Sequence, residues 1–163
     1  MTRKILYPLL LTAAALFAGC NNKVVIDDER TFANDVWNRF TPEVFDIDID
    51  NTDNYYNIDF SVSIDTAHFR YSSMPFTVNI YSPTGERRMF YTTIYFKDKG
   101  RWNGEPAADG YYVFSNRIRS YFSFNSRGTN KIEVAQATSQ YDLEGVHSLG
   151  VYIEKTSVDY DNL

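Results

Sequence analysis

The chain offers almost no sulfur or imidazole chemistry: it has one cysteine and two histidines among 163 residues. A zinc site takes three or four ligands, mostly nitrogen or sulfur, so a histidine–cysteine centre built from His68, His147 and one thiol is excluded. A single thiol also leaves no internal disulfide. Basic charge is short as well. Sixteen lysines and arginines face 21 acids, for a net charge of −5, whereas nucleic acid and anionic lipid surfaces both call for basic patches. The one long apolar run, Ile5 to Phe17, falls short of the about 20 residues that cross a bilayer. There is no G-x-S-x-G stretch, and a serine or cysteine hydrolase would need a base held by a third group. Carboxylates for a glycosidase pair exist in number, but nothing singles out two of them. The expectation is a non-enzyme with no catalytic residues, cofactor or metal.

What is present begins at the N-terminus. Met1-Thr2-Arg3-Lys4 is a short positive start, Ile5 to Phe17 carries no charge, and Ala18-Gly19 are small. These are the three parts of a secretory signal. An ordinary signal needs no cysteine after its small-residue exit, yet Cys20 follows here. The order Leu16-Phe17-Ala18-Gly19-Cys20 resembles the lipobox of bacterial lipoproteins, with Phe17 where leucine is usual. That resemblance implies cleavage before Cys20, a diacylglycerol on its sulfur and an acyl chain, such as palmitate, on its amine. At roughly 0.8 kcal/mol per buried methylene, several chains hold a protein on a membrane almost permanently. The expected division is a signal peptide over 1–19, a lipidated N-terminus and polar tether over 20–34, a β-domain over 35–158 and a tail over 159–163.

Aromatic and β-branched residues fit a pleated, half-buried surface, and with 13 tyrosines and 12 phenylalanines an all-β reading starts ahead. In "EVFDIDID" Phe45, Ile47 and Ile49 share one face, and Asp46, Asp48 and Asp50 the other. In "YNIDFSVSID" Ile58, Phe60, Val62 and Ile64 alternate with polar residues. The intervening "NTDN" suggests that these two strands form a hairpin. "PFTVNIYS" turns at Pro83-Thr84-Gly85 into "RMFYTTIYF", which is apolar enough to be covered on both faces. After a long loop from Lys97 to Gly110 come "RIRSYFSFN", "KIEVAQAT" and "SLGVYIEK". Seven or eight short strands with a turn every 8–12 residues predict a single β-sandwich, of jelly-roll or immunoglobulin-like type.

The acids Asp46, Asp48, Asp50 and Asp53 lack the spacing of a calcium loop. They read instead as a solvated strand face that discourages edge-to-edge aggregation. The functional lead is aromatic. Trp37 and Trp102 fall in or near loops, and Tyr111-Tyr112 follow the long loop. Such rings either anchor a protein partner, stack on sugars, or plug the ends of the core.

Two segments, "KGRWNGEPAADG" and "QATSQYDLEGVHSLGVYIEK", resemble the gliding motility lipoprotein H (GldH) family of the Bacteroidetes. The matching positions are Gly100, Trp102 and Gly104 in a Gly-x-Trp-x-Gly loop. Gln136-Ala137, Leu143, Gly145-Val146, Gly150 and Ile153-Glu154-Lys155 match near the C-terminus, and "VWNRF" before "FDIDI" also fits. Glu105-Pro106 stand where the family usually has another glycine. The resemblance implies a lipid-anchored outer-membrane protein, an accessory to gliding and protein-secretion assemblies, with envelope proteins as partners. The weak acidity just after Cys20 favours a periplasm-facing body. The candidate contact residues are Trp102, Gly100, Gly104, Tyr111 and Trp37. A second reading, a carbohydrate-binding lipoprotein that captures glycans on exposed aromatics, rests on the same rings.

Overall fold

The computed structural model describes residues 23–157. The signal peptide expected over 1–19, the lipid-bearing Cys20 and the tail at 159–163 lie outside the described residues. Within them the chain is all-β, with no α-helix. No helix there is long and apolar enough to cross a membrane. Eight long strands carry the fold: β1 (Val24–Thr31), β3 (Glu43–Ile49), β4 (Tyr55–Asp65), β5 (Ser73–Tyr81), β6 (Arg87–Tyr95), β10 (Tyr111–Phe122), β11 (Gly128–Gln136) and β13 (Val146–Thr156). Five short ones serve the loops: β2 (Val36–Asn38), β7 (Lys97–Asp98), β8 (Arg101–Trp102), β9 (Glu105–Pro106) and β12 (Asp142–Glu144).

The long strands form two antiparallel sheets, ordered β1-β13-β4-β10-β9 and β3-β11-β5-β6. Their inner faces meet in the core, as alternation requires of a sandwich. Phe45, Ile47 and Ile49 project from β3, and Ile58, Phe60, Val62 and Ile64 from β4, all essentially without exposure. At the ends of β11 two buried amides clamp the adjoining turns. Asn130 Nδ2 donates to the carbonyls of Ser126 and Gly128. Gln136 Nε2 donates to the Gln140 carbonyl while its Oε1 accepts from the Thr138 amide and hydroxyl.

Three expectations are corrected. "NTDN" does not close a hairpin: β3 pairs with β11 and β4 with β13 and β10, so the turn crosses between sheets. The side chains of β11 suit the acids of β3. On β11, Asp46 meets Lys131 at 3.6 Å and Asp48 accepts from the Thr129 hydroxyl at 2.7 Å; beside β4 the same acids would face the Asp59 side of that strand, and like charges across strands are destabilising. Second, the segment expected to be a tether up to residue 34 already contains β1, paired to β13 from Val24 to Thr31. Third, β6 is not covered on both faces. It is a sheet edge, with Met89, Tyr91 and Tyr95 at 50%, 67% and 66% exposure.

Candidate functional site

The strand directions sort the loops into two ends. Val24 of β1 lies beside Glu154, and Thr156 beside Tyr55. The start of the described chain therefore shares one end with the turns at residues 50–54, 82–86 and 123–127. The opposite end gathers residues 32–42, 66–72, 96–110 and 137–145, and every sequence-predicted contact residue in the described chain belongs to these stretches or borders them.

The Gly-x-Trp-x-Gly stretch is a miniature hairpin. β7 and β8 pair Asp98 with Arg101 and Lys97 with Trp102 across a two-residue turn. Lys99 (φ 48°) and Gly100 (φ 79°) both take positive φ there, as two-residue hairpins demand. Gly104 answers a different need. A Cβ on it would stand 2.7 Å from the Val113 carbonyl oxygen and 2.7 Å from the Phe114 ring, so the chain can lie against β10 only without a side chain. Trp102 joins the two. Its indole packs inward at 6.4 Å from the centroids of Phe69, Tyr112 and Phe114, and Lys97 Nζ lies 4.0 Å from its own centroid. The ring is half-buried core under a cationic cover, and offers no flat free face on which a sugar would stack.

Trp37 needs a stronger correction. Named as a candidate contact residue, with plugging of the core as the alternative, it is fully buried in β2. It stacks on Phe32 at 4.9 Å and 17° and donates from Nε1 to the Thr41 carbonyl at 3.1 Å. Opposite it across the β2–β12 pair is Leu143, also fully buried. The aromatic spacing of "VWNRF" reflects the plugging of the sandwich end, the bland alternative for a tryptophan in such a position.

Tyr111 belongs to a polar tie that sequence reasoning missed. Its hydroxyl donates to Asp35 Oδ2 at 2.8 Å, His147 Nδ1 bonds Asp35 Oδ1 at 2.7 Å, and the tyrosine and imidazole rings lie 4.6 Å apart. Asp35 itself has φ 56° and Asn34 φ 57°, so the bonds hold a strained turn onto β13 and β10. The hydrogen bond to Asp35, and after it desolvation, raises the Tyr111 pKa above the ordinary phenol value. A cleft of about 330 Å³ opens beside this turn, lined by Asn34, Asp35, Asp65, His68, Glu144 and Gly145. His68 bonds Asp65, which is the main reason the Asp65 pKa is lowered. The two histidines, 79 positions apart, thus meet the same end of the fold, each on its own carboxylate. Among the described residues no group of three or more His, Cys, Asp or Glu is placed to hold a metal ion.

The exposed rings at this end are others. Phe40 (69%) and Tyr141 (66%) stack on each other at 5.6 Å, and the Arg39 guanidinium lies 5.6 Å and 5.9 Å from the two centroids. The Arg39 amide donates to the Tyr141 carbonyl at 2.8 Å, and Asn38 Nδ2 donates to Asp142 Oδ1 at 2.6 Å. The pair is therefore fixed from both loops. A sequence signal did exist: Phe40 and Tyr141 each follow a polar residue outside any alternating run.

Comparison with known proteins gives one result. The family model for the GldH lipoprotein matches residues 24–153. No curated protein and no solved structure matches the chain.

Proposed function

The chain belongs to the GldH lipoprotein family, and from that membership we propose a non-enzymatic accessory component of a gliding, protein-secretion or related envelope assembly. Membership places it among membrane-anchored envelope lipoproteins. In this reading Cys20 carries the lipid, the membrane is the outer one, and the body faces the periplasm. The observation that carries the proposal is the polarity of the sandwich. Cys20 would lie three positions before Lys23, whose carbonyl accepts from the Lys155 amide at 2.6 Å. With so short a leash, the anchored end is fixed and the opposite loops point away from the bilayer. At about 3.3 Å per residue, the length of β4 sets them roughly 35 Å out.

The outward end then presents the Arg39–Phe40–Tyr141 stack, and rigid aromatic and arginine side chains of this kind dominate protein interfaces. The Trp102 hairpin belongs to the same end, its indole packed on Phe69, Tyr112 and Phe114. Two experiments test the reading. Cys20→Ser should move the protein from the membrane fraction to the soluble fraction, and retention in the membrane would sink the anchor. Phe40→Ala with Tyr141→Ala should leave stability within about 0.5 kcal/mol of the parent, as exposed substitutions do, while gliding and secretion fall together. Unchanged motility and secretion in the double variant would remove the outward end from the function.

A further inference from the structure

A sheet edge exposes unpaired amides and carbonyls, and soluble proteins guard such edges with charge, bulges or short strands. Three of the four edges here are guarded. β1 carries Asp27, Asp28 and Glu29 and a register shift between Val24 and Ile26. β3 alternates Asp46 and Asp48 with its core residues. β10 is covered at Tyr112 and Val113 by β9 and is broken further on by two register shifts around Arg119. The fourth edge, β6, has no bulge and no covering strand, and its charge is confined to Arg87 and Arg88 at its start. It pairs with β5 over nine residues without a shift, and "MFYTTIY" from Met89 to Tyr95 carries no charge.

The hydrogen-bond phase fixes what this strand shows. Outside the ladder itself, the Ser82 amide donates to the Glu86 carbonyl and the Phe96 amide to the Ser72 carbonyl. In an antiparallel pair hydrogen-bonded and open positions alternate. Even-numbered residues of β6 therefore bond to β5, and Met89, Tyr91, Thr93 and Tyr95 turn their N–H and C=O groups away from it, to a side that is free except at the Tyr95 carbonyl, which accepts from the Asn103 side-chain amide at 3.2 Å. The same four residues place their side chains on the outer face. Tyr91 stands opposite Thr77 and Tyr95 opposite Ser73, small neighbours that leave the rings proud of the sheet.

Charge identifies the occupant. Residues 87–127, which make up β6, the long loop, β10 and its turn, hold eight basic residues against three acids; residues 23–86 and 128–157 hold six against sixteen. Arg87, Lys97, Arg101 and Arg119 make no salt bridge among the described residues. Arg87 opens the strand, Lys97 follows it, and Arg119 lies 3.9 Å from the Phe90 ring beneath it. A second copy docked β6 to β6 would bring two basic regions together. We propose that β6 is a strand-addition site for an extended segment of an envelope protein with an uncharged, β-branched or aromatic centre and acidic flanks. Main-chain bonds supply the affinity and the flanking arginines and lysines the orientation. This surface is independent of the outward loops and of the family's cellular role.

The test uses the full-length chain in detergent and a labelled peptide, Asp-Glu-Thr-Val-Tyr-Val-Thr-Val-Glu-Asp, by fluorescence anisotropy. Binding in the micromolar range is expected, weakened several-fold between about 50 mM and about 500 mM salt. The counterpart with lysine in place of the four acids should bind at least about tenfold more weakly, since like charge at an interface is repelled. Thr93→Pro removes a free-side amide and spares the β5 ladder, as proline tolerates on edges, and should abolish binding with an unchanged melting temperature. Should that variant fold poorly, Tyr91→Lys guards the edge without touching the backbone and should do the same. Equal binding of both peptides, or binding that survives Thr93→Pro or Tyr91→Lys, would overturn the proposal. So would sedimentation showing a dimer that Tyr91→Lys dissolves, which would assign the edge to a second copy.

Discussion

Gly100, Gly104 and Gly145 stand alike in the sequence as glycines of two short motifs, but the structure gives each a different reason and hence a different cost on substitution. At Gly100 a Cβ meets nothing within 4 Å, and only the φ of 79° opposes it. Alanine there should cost about 1–2 kcal/mol, the strain of an L-residue in the left-handed region. At Gly104 the obstacle is space, with backbone Val113 O and the Phe114 ring both 2.7 Å from the Cβ position. The ring can turn and the carbonyl cannot, so overpacking of roughly 1–3 kcal/mol is expected. Gly145 has both problems. Its φ is 80°, and a Cβ would fall 2.4 Å from the Phe69 amide nitrogen and 2.8 Å from its Cα. Summing the two costs gives roughly 2–5 kcal/mol for Gly145→Ala. Urea unfolding of the full-length chain in detergent, followed by tryptophan fluorescence, should rank the variants Gly100, Gly104, Gly145 in increasing loss. Asparagine separates the causes, because it tolerates positive φ yet fills the same space. Gly100→Asn should recover most of the loss, and Gly145→Asn none. A Gly145→Ala midpoint equal to that of the parent, or rescue at Gly145 by asparagine, would refute the reasoning.

Trp37→Ala removes a fully buried ring together with its bond to the Thr41 carbonyl. It should cost about 3–5 kcal/mol, out of a margin of roughly 5–15 for a whole domain, and calorimetry should show the loss. Asp65 is held below its ordinary value of 3.8 by His68, so its contribution is complete above that value and vanishes as pH falls through the lowered one. Asp65→Asn should accordingly melt lower than the parent near neutrality, with the gap closing in thermal scans taken below about pH 4. Tyr111 is shifted the other way, above its ordinary 10.0, by Asp35. Its contribution is whole below that value and is lost as pH climbs through the raised one. Absorbance titration of Asp35→Asn should show one phenol returning toward the ordinary range, and an unaltered curve would break the link.

The alternation of Phe45, Ile47 and Ile49 with three aspartates, and of Ile58 through Ile64 with polar residues, is a local property. It reports which face of a strand is dry, and β3 follows it residue by residue, whereas β4, central in its sheet, also buries the polar Asn57 and Ser63. It cannot report which neighbour a strand takes. "NTDN" has the composition of a hairpin turn, and the partners that β3 takes instead, among them Lys131 and Thr129 of β11, lie more than seventy residues further along the chain. The site was legible in the same uneven way. Gly100, Trp102 and Gly104 were picked out through the family resemblance, and the structure supplies the local reason for the glycines, a tight turn at Gly100 and a close approach at Gly104. Tyr111 was picked out as an aromatic, but its tie to Asp35 and His147 was not, since each of the three is ordinary alone and acquires that role only beside the others. Trp37 stayed ambiguous because a tryptophan in or near a loop looks the same whether it caps a core or faces water, and its burial decides for the core.

The sequence by itself determined the all-β class, most of the long strands, the acidic face of β3 and the family, because each rests on residues close together along the chain. Only the tertiary structure decided which edge is left bare, which rings are free, and which carboxylate each histidine finds. Those outcomes depend on through-space neighbours tens of residues apart, and no local pattern encodes a pairing whose partner lies elsewhere in the chain.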